Sequence, residues 1–243
     1  MTQADRARRL RRSVGVALDL DAAAALTRTG DLWLLRGRSG ADRAIQQFTN
    51  APVNHVGMAV VLDDLPPLLW HAELGRALPD AWSGHRQRRV QLHNLHAAVL
   101  QWGRRYGQRA WLRQLSGPAE PAVTSEMEDA LLRTIARLDG TPFPSMARLA
   151  GRWLRGRLPA RRRRGDSPTG DAPEDGTPEG GTFESAYCAE VVAVTYEDMG
   201  LLPPDRRPHW YDPGRFWSGD GLTLRDGYTL GREIAVTLPP PSD

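Results

Sequence analysis

The chain of 243 residues carries one cysteine and six histidines, and these set the chemistry it can attempt. Cys188 lies in the run Ser185-Ala-Tyr-Cys188-Ala-Glu-Val-Val-Ala-Val-Thr-Tyr196. Ser185 is a suitable N-cap. This predicts a helix over Ser185 to Met199, closed by Gly200, with Cys188 as its third helical residue. In a first turn the backbone N–H groups are unpaired and the helix dipole is positive. Both favour the thiolate, which is the nucleophilic form of cysteine. The plainer role for such a residue is a small buried side chain.

A nucleophilic thiolate needs a base, and the base needs an acceptor that orients it. His55 opens an apolar run after a loop, so a strand end would hold its ring. A hairpin centred near Asp64 sets residue 55 opposite residue 73, on one face and within about 5.5 Å at Cβ. Glu73 is then placed to accept from one ring nitrogen of His55 while the other faces the thiol. A register centred on Leu65 makes the pair diagonal, still within reach of a glutamate. His71 shares parity with Glu73 and competes as the base. Taken singly, His55 suits a satisfied structural histidine and Glu73 a solvated carboxylate. His85, His93 and His96 form a weak metal pattern, with no carboxylate at motif spacing.

These residues need a scaffold, and hydrophobic periodicity outlines one. Strands are predicted at Leu32–Leu35, His55–Leu62, Leu68–Glu73 and Val90–Leu95, with a last one at Ile234–Leu238. Helices are predicted at Ala41–Phe48, over residues 97–115 and from Thr124 to Leu138, the third capped by Ser125. Residues 156–181 hold four consecutive arginines at 161–164 and continue as a Pro/Gly/Asp/Glu-rich run, the composition of a disordered insertion. The expected organisation is a basic N-terminal helix or tail over 1–28 and a single domain over 29–243. Trp33, Trp70 and the pair Trp210-Tyr211 are candidates to line an apolar cleft.

Composition narrows the function. Hydrophobic residues make up 40% and charged residues 25%, as in ordinary globular domains. All 32 basic residues are Arg, yet the net charge is only +3, and the arginines are scattered or sit in tails. A nucleic-acid partner is therefore not expected. The single Cys excludes an intramolecular disulfide and a cysteine-rich zinc module. No apolar run approaches a membrane span. Asp19 and Asp21 interrupt a would-be signal core, so a cytoplasmic location is expected. The Arg-rich segments leave a weak membrane-surface contact open.

Four motifs occur in order: Gly30-Asp31-Leu-Trp-Leu-Leu, then Asn54-His55-Val-Gly-Met-Ala-Val-Val, then His71-Ala-Glu73, and finally Tyr187-Cys188-Ala-Glu-Val-Val-Ala. The series resembles the circularly permuted branch of the NlpC/P60 papain-like superfamily. This is the YiiX/YebB-like amidase group, with lecithin:retinol acyltransferase-like proteins as distant relatives. The resemblance touches about residues 29–75 and 183–202. Asn54 and Ala189 stand where that group usually has Ser.

The resemblance implies an α+β, permuted papain-like fold, with an antiparallel sheet packed on the Cys helix. It implies Cys188 as nucleophile, His55 as base and Glu73 as the orienting residue, with no cofactor and no metal. The implied activity is a cysteine-dependent acyl hydrolase on a peptidic, amide or lipid-like acyl substrate, with an oxyanion held in part by the Cys188 N–H. A lipid acyltransferase and a non-catalytic binding or membrane-surface adaptor are the alternatives. All of this requires the sulfur, the imidazole and the carboxylate to converge on one cleft.

Overall fold

A computed structural model of the chain describes residues 17–37, 52–73, 75–142 and 181–239. The expected basic segment at 2–12, the helix at 41–48 and the insertion up to residue 180 lie outside the described residues. Among the described residues the fold is α+β, with a seven-stranded mixed sheet, a two-stranded sheet and four helices.

In chain order the elements are β1 (Leu18–Asp19), α1 (Leu20–Leu26), β2 (Leu32–Arg36), β3 (His55–Val60), β4 (Leu68–Glu73) and β5 (Arg89–Asn94). They continue with α2 (Leu95–Tyr106), β6 (Arg109–Arg113), β7 (Leu115–Ser116), α3 (Ser125–Leu138) and α4 (Gly181–Asp198). Three short 3-10 turns between Pro208 and Asp220 lead to β8 (Thr229–Leu230) and β9 (Ile234–Thr237). The large sheet runs β1-β9-β6-β2-β3-β4-β5, and β7 pairs with β8. Neighbours in the large sheet are antiparallel except β1 and β9, which are parallel.

The β3–β4 hairpin has the register expected from its sequence: Met58 pairs with Trp70, Ala59 with Leu69 and Val60 with Leu68. Continued along the strands, this sets His55 opposite Glu73. Side chains alternate across a sheet, and two separate apolar layers result. Leu34, Val56, Met58, Trp70 and Leu92 pack with α4 on one face. Trp33, Leu35, Ala59 and Leu69 pack with α1 and α2 on the other. Helix α4 is fixed to its face by two buried bonds. The Trp70 indole donates to Thr195 Oγ1 at 3.0 Å, and the Tyr196 hydroxyl donates to the Gly30 carbonyl at 2.5 Å. Helix α3 joins α4 through Thr134 Oγ1, which donates to Asp198 at 2.6 Å.

Several local expectations are corrected. The helix predicted over 97–115 ends at Tyr106, because Gly107 takes a left-handed C-cap at φ 59°. Trp111 then lies on β6 and Leu115 on β7. Thr124, not Ser125, caps α3, its side chain accepting from the Met127 N–H. Helix α4 begins at Gly181, ahead of Ser185, so Ser185 is not its cap. The folded unit starts before residue 29, since β1 pairs with β9 and Leu20 and Ala23 are buried. Trp33 and Trp70 are core residues on opposite faces and line no common cleft.

Candidate metal centre

The α2 face of the sheet collects an unusual set of polar side chains. His55 opens β3, His71 and Glu73 lie two apart on β4, and Gln91 and His93 lie two apart on β5. Two-residue spacing keeps each pair on one face. Trp102, on α2, closes over them, its ring centroid 4.8 Å from that of His55 and 5.0 Å from that of His71.

The imidazoles are joined end to end. His55 Nε2 is 3.2 Å from His71 Nδ1, and His71 Nε2 is 3.1 Å from His93 Nδ1. Glu73 is divided between two neighbours. Its Oε1 accepts from the Trp102 indole at 2.8 Å, while its Oε2 lies 3.4 Å from His93 Nδ1. The close approach of His71 depends on Gly57 of β3. A Cβ there would stand 2.8 Å from Leu69 Cδ1 and 3.2 Å from His71 Cβ. All these groups are buried, and the residual exposure, 7% at His55 and 6% at Glu73, lies where β3 begins and β4 ends. Those two ends adjoin in an antiparallel hairpin.

Removal from water sets the protonation of the cluster. Burial, with the neighbouring His93, pushes the His55 imidazole down to about 3. Burial likewise lowers His93 to about 4, against the pull of Asp80. It holds His71 well below the ordinary imidazole range, assisted by His93 and His55. Burial raises Glu73, opposed by the indole hydrogen bond. Each histidine is thus a neutral imidazole at pH 7, the form that ligates metal.

Among the described residues, the ligand atoms of His71, Glu73 and His93 form one group with the spacing to hold a metal ion, all lying within 4.8 Å of one another. Histidine spacing along the chain had pointed weakly to His85, His93 and His96. Of these only His93 belongs to the group. His96 instead bonds Asp21 at 2.9 Å, on an exposed surface.

The expected triad is not assembled. His55 and Glu73 do share a face, although His55 bonds His71 rather than Glu73. Cys188 belongs to the apolar layer on the other face, with Val56, Met58 and Trp70, and is 0% exposed. The sheet stands between its sulfur and the imidazoles. Cys188 is also the eighth residue of α4, not the third. Only the first four N–H groups of a helix lack an intrahelical partner. The dipole argument for a thiolate and the Cys188 N–H as an oxyanion donor both fall with that position.

Sequence reasoning passed over Gln91 and Trp102 as site residues and grouped His93 with the wrong partners. A usable signal existed in the shared parity of 71 with 73 and of 91 with 93 on adjacent strands. What could not be read was the β4–β5 register, which pairs His71 with Gln91 and Leu69 with His93 across a long connection.

No family model and no curated protein matches the chain. Among solved structures, the metalloprotein YiiX of Escherichia coli O157:H7 is similar over 71% of this chain and 66% of that one, at 19% identity and a TM-score of 0.40. The match thus spans just under two thirds of that protein's length. No helix among the described residues is long and apolar enough to cross a membrane.

Proposed function

We propose that the chain is a divalent-metal protein whose centre is held by His71 Nε2, Glu73 Oε2 and His93 Nδ1. The observation that carries this reading is the mutual spacing of the three atoms. Ligands at about 2.0–2.1 Å from a zinc-sized ion define a tetrahedron with edges of roughly 3.3 Å. The His71–His93 and His93–Glu73 separations are 3.1 and 3.4 Å, near that edge, and all three atoms lie within 4.8 Å of one another. Two imidazoles and a carboxylate favour zinc and its late first-row neighbours over magnesium or calcium.

The surroundings suit such a centre. His71 can carry its proton on Nδ1 and donate to His55 Nε2, which frees Nε2 for the ion. The Trp102 indole occupies Glu73 Oε1 and leaves Oε2 as a single ligand atom. Groups of this kind orient metal ligands and raise affinity. An ion held by these three residues would supply a bound water acidified toward neutral pH. Acyl hydrolysis, expected from the sequence, would then fall to that water rather than to a Cys188 thiolate. The element order, a histidine strand, an acidic strand and then a cysteine helix, supports a permuted papain-like reading of the architecture. The chemistry then lies on the face opposite that helix.

The test is metal content and activity together. Protein stripped with a chelator, exposed to Zn²⁺ and dialysed is expected to retain about one ion per chain, lost in His71→Ala and in Glu73→Gln. Hydrolysis of a p-nitrophenyl ester panel is expected to stop with chelator and to survive iodoacetamide. Failure to retain zinc, or equal retention by both variants, overturns the centre. Hydrolysis abolished by Cys188→Ala but indifferent to chelator would return the chemistry to the thiol.

A further inference from the structure

We infer that Gln91 is a positioning residue for the fourth coordination position of this centre, its amide oxygen accepting a hydrogen bond from the water held there. The inference rests on the proposed metal centre and adds a residue to it.

Register carries the argument. On β4, His71 pairs with Gln91 of β5, and Glu73 pairs with Arg89. His93 follows Gln91 by two residues on the same face. Gln91 is therefore directly opposite one ligand, diagonal to the second and adjacent along the strand to the third. An ion drawn toward His71, Glu73 and His93 together must sit over the Gln91 side chain. Cross-strand neighbours stand about 4.5–5.5 Å apart at Cβ, so a glutamine side chain spans the distance.

A second observation is independent of register. Gln91 is 0% exposed, and among the described residues neither its Oε1 nor its Nε2 has a hydrogen-bond partner. Buried amides are nearly always partnered. A glutamine kept in the middle of a sheet face with both ends unmet by protein is explained if a bound group meets them. Strand formation itself gives no reason for it, because Val and Leu fill the neighbouring buried positions of β5 on the other face.

The test compares wild type with Gln91→Leu and Gln91→Glu, each loaded with Zn²⁺ and, separately, with Co²⁺. Leucine has a similar volume and removes an unpartnered amide, so a purely structural glutamine predicts unchanged or raised apo stability and unchanged metal affinity. A positioning role predicts the same apo stability but a zinc affinity lower by about 10–100-fold. It also predicts an altered visible spectrum for the Co²⁺ form. Gln91→Glu keeps the acceptor oxygen and is expected to recover most of the affinity. Should the leucine variant misfold, Gln91→Met supplies the same comparison. If wild type binds zinc and the apolar variants bind it equally well with an unchanged Co²⁺ spectrum, the role of Gln91 is wrong while the centre stands. If wild type binds neither ion, the centre itself has failed and Gln91 with it.

Discussion

Replacing His55 by Gln tests whether the imidazole cluster is as dry as its packing implies. An imidazole in the unfolded chain titrates near 6.5, and in the fold burial brings His55 to about 3. The folded value is the lower one. Below pH 6.5 the unfolded chain therefore takes up a proton that the folded chain refuses, and stability falls as the pH drops toward 3. From pH 7 to pH 5 the relevant interval is about 1.5 units, worth about 2 kcal/mol at 1.36 kcal/mol per unit.

His71 and His93, which face His55 from β4 and β5, act in the same direction. Glu73 acts oppositely, because its raised value makes the protonated form fit the fold better as the pH falls. The total profile is a sum, and the difference between wild type and variant reports His55 together with its share of the shift on His71, which has the same sign. Urea unfolding in chelator at pH 7 and pH 5 is expected to show wild type losing about 2 kcal/mol more than His55→Gln. Equal losses would mean that the folded protein protonates His55 freely, and the burial reasoning would be refuted.

Three further outcomes are expected. Trp102→Phe removes the indole donor to Glu73 Oε1, so metal affinity measured by competition with a chromophoric chelator falls about 10-fold or more. Gly57→Ala pushes a methyl into Leu69 and the His71 Cβ, costing about 1–3 kcal/mol in urea unfolding and weakening zinc retention, whereas a change in neither would mean the strands yield freely. Cys188, fully buried, is expected to react slowly with iodoacetamide in native protein and fast in urea. Rapid native labelling would contradict its place in the core.

Much of the hairpin was legible because β3 and β4 are joined by a short turn. Asp63-Asp64-Leu65-Pro66-Pro67 announces that turn, and the turn fixes the register that brings His55 and Glu73 to one face. The location of the Cys helix was legible only in part. Its run of apolar residues marks a buried helix, but nothing local decides which face of a sheet it covers. That decision belongs to long-range packing, since Val56, Met58 and Trp70 make a wider apolar layer than Gly57 and Ala59. Helix starts misled for a similar reason. Ser185 has good cap chemistry, yet the helix extends back to Gly181. At 97–115 the aromatic spacing of Trp102, Tyr106 and Trp111 hid a glycine stop at Gly107.

The parallel pairing of β1 with β9 ties the two ends of the described chain into one sheet edge. During synthesis on a ribosome, Leu18 and Asp19 emerge long before their partners Val236 and Thr237. That seam can close only once β9 has been made, and contacts so distant in sequence slow folding. A nascent chain stalled before β9 would leave β1 unpaired and the outer edge of β6 open, which makes β9 the clasp of the domain.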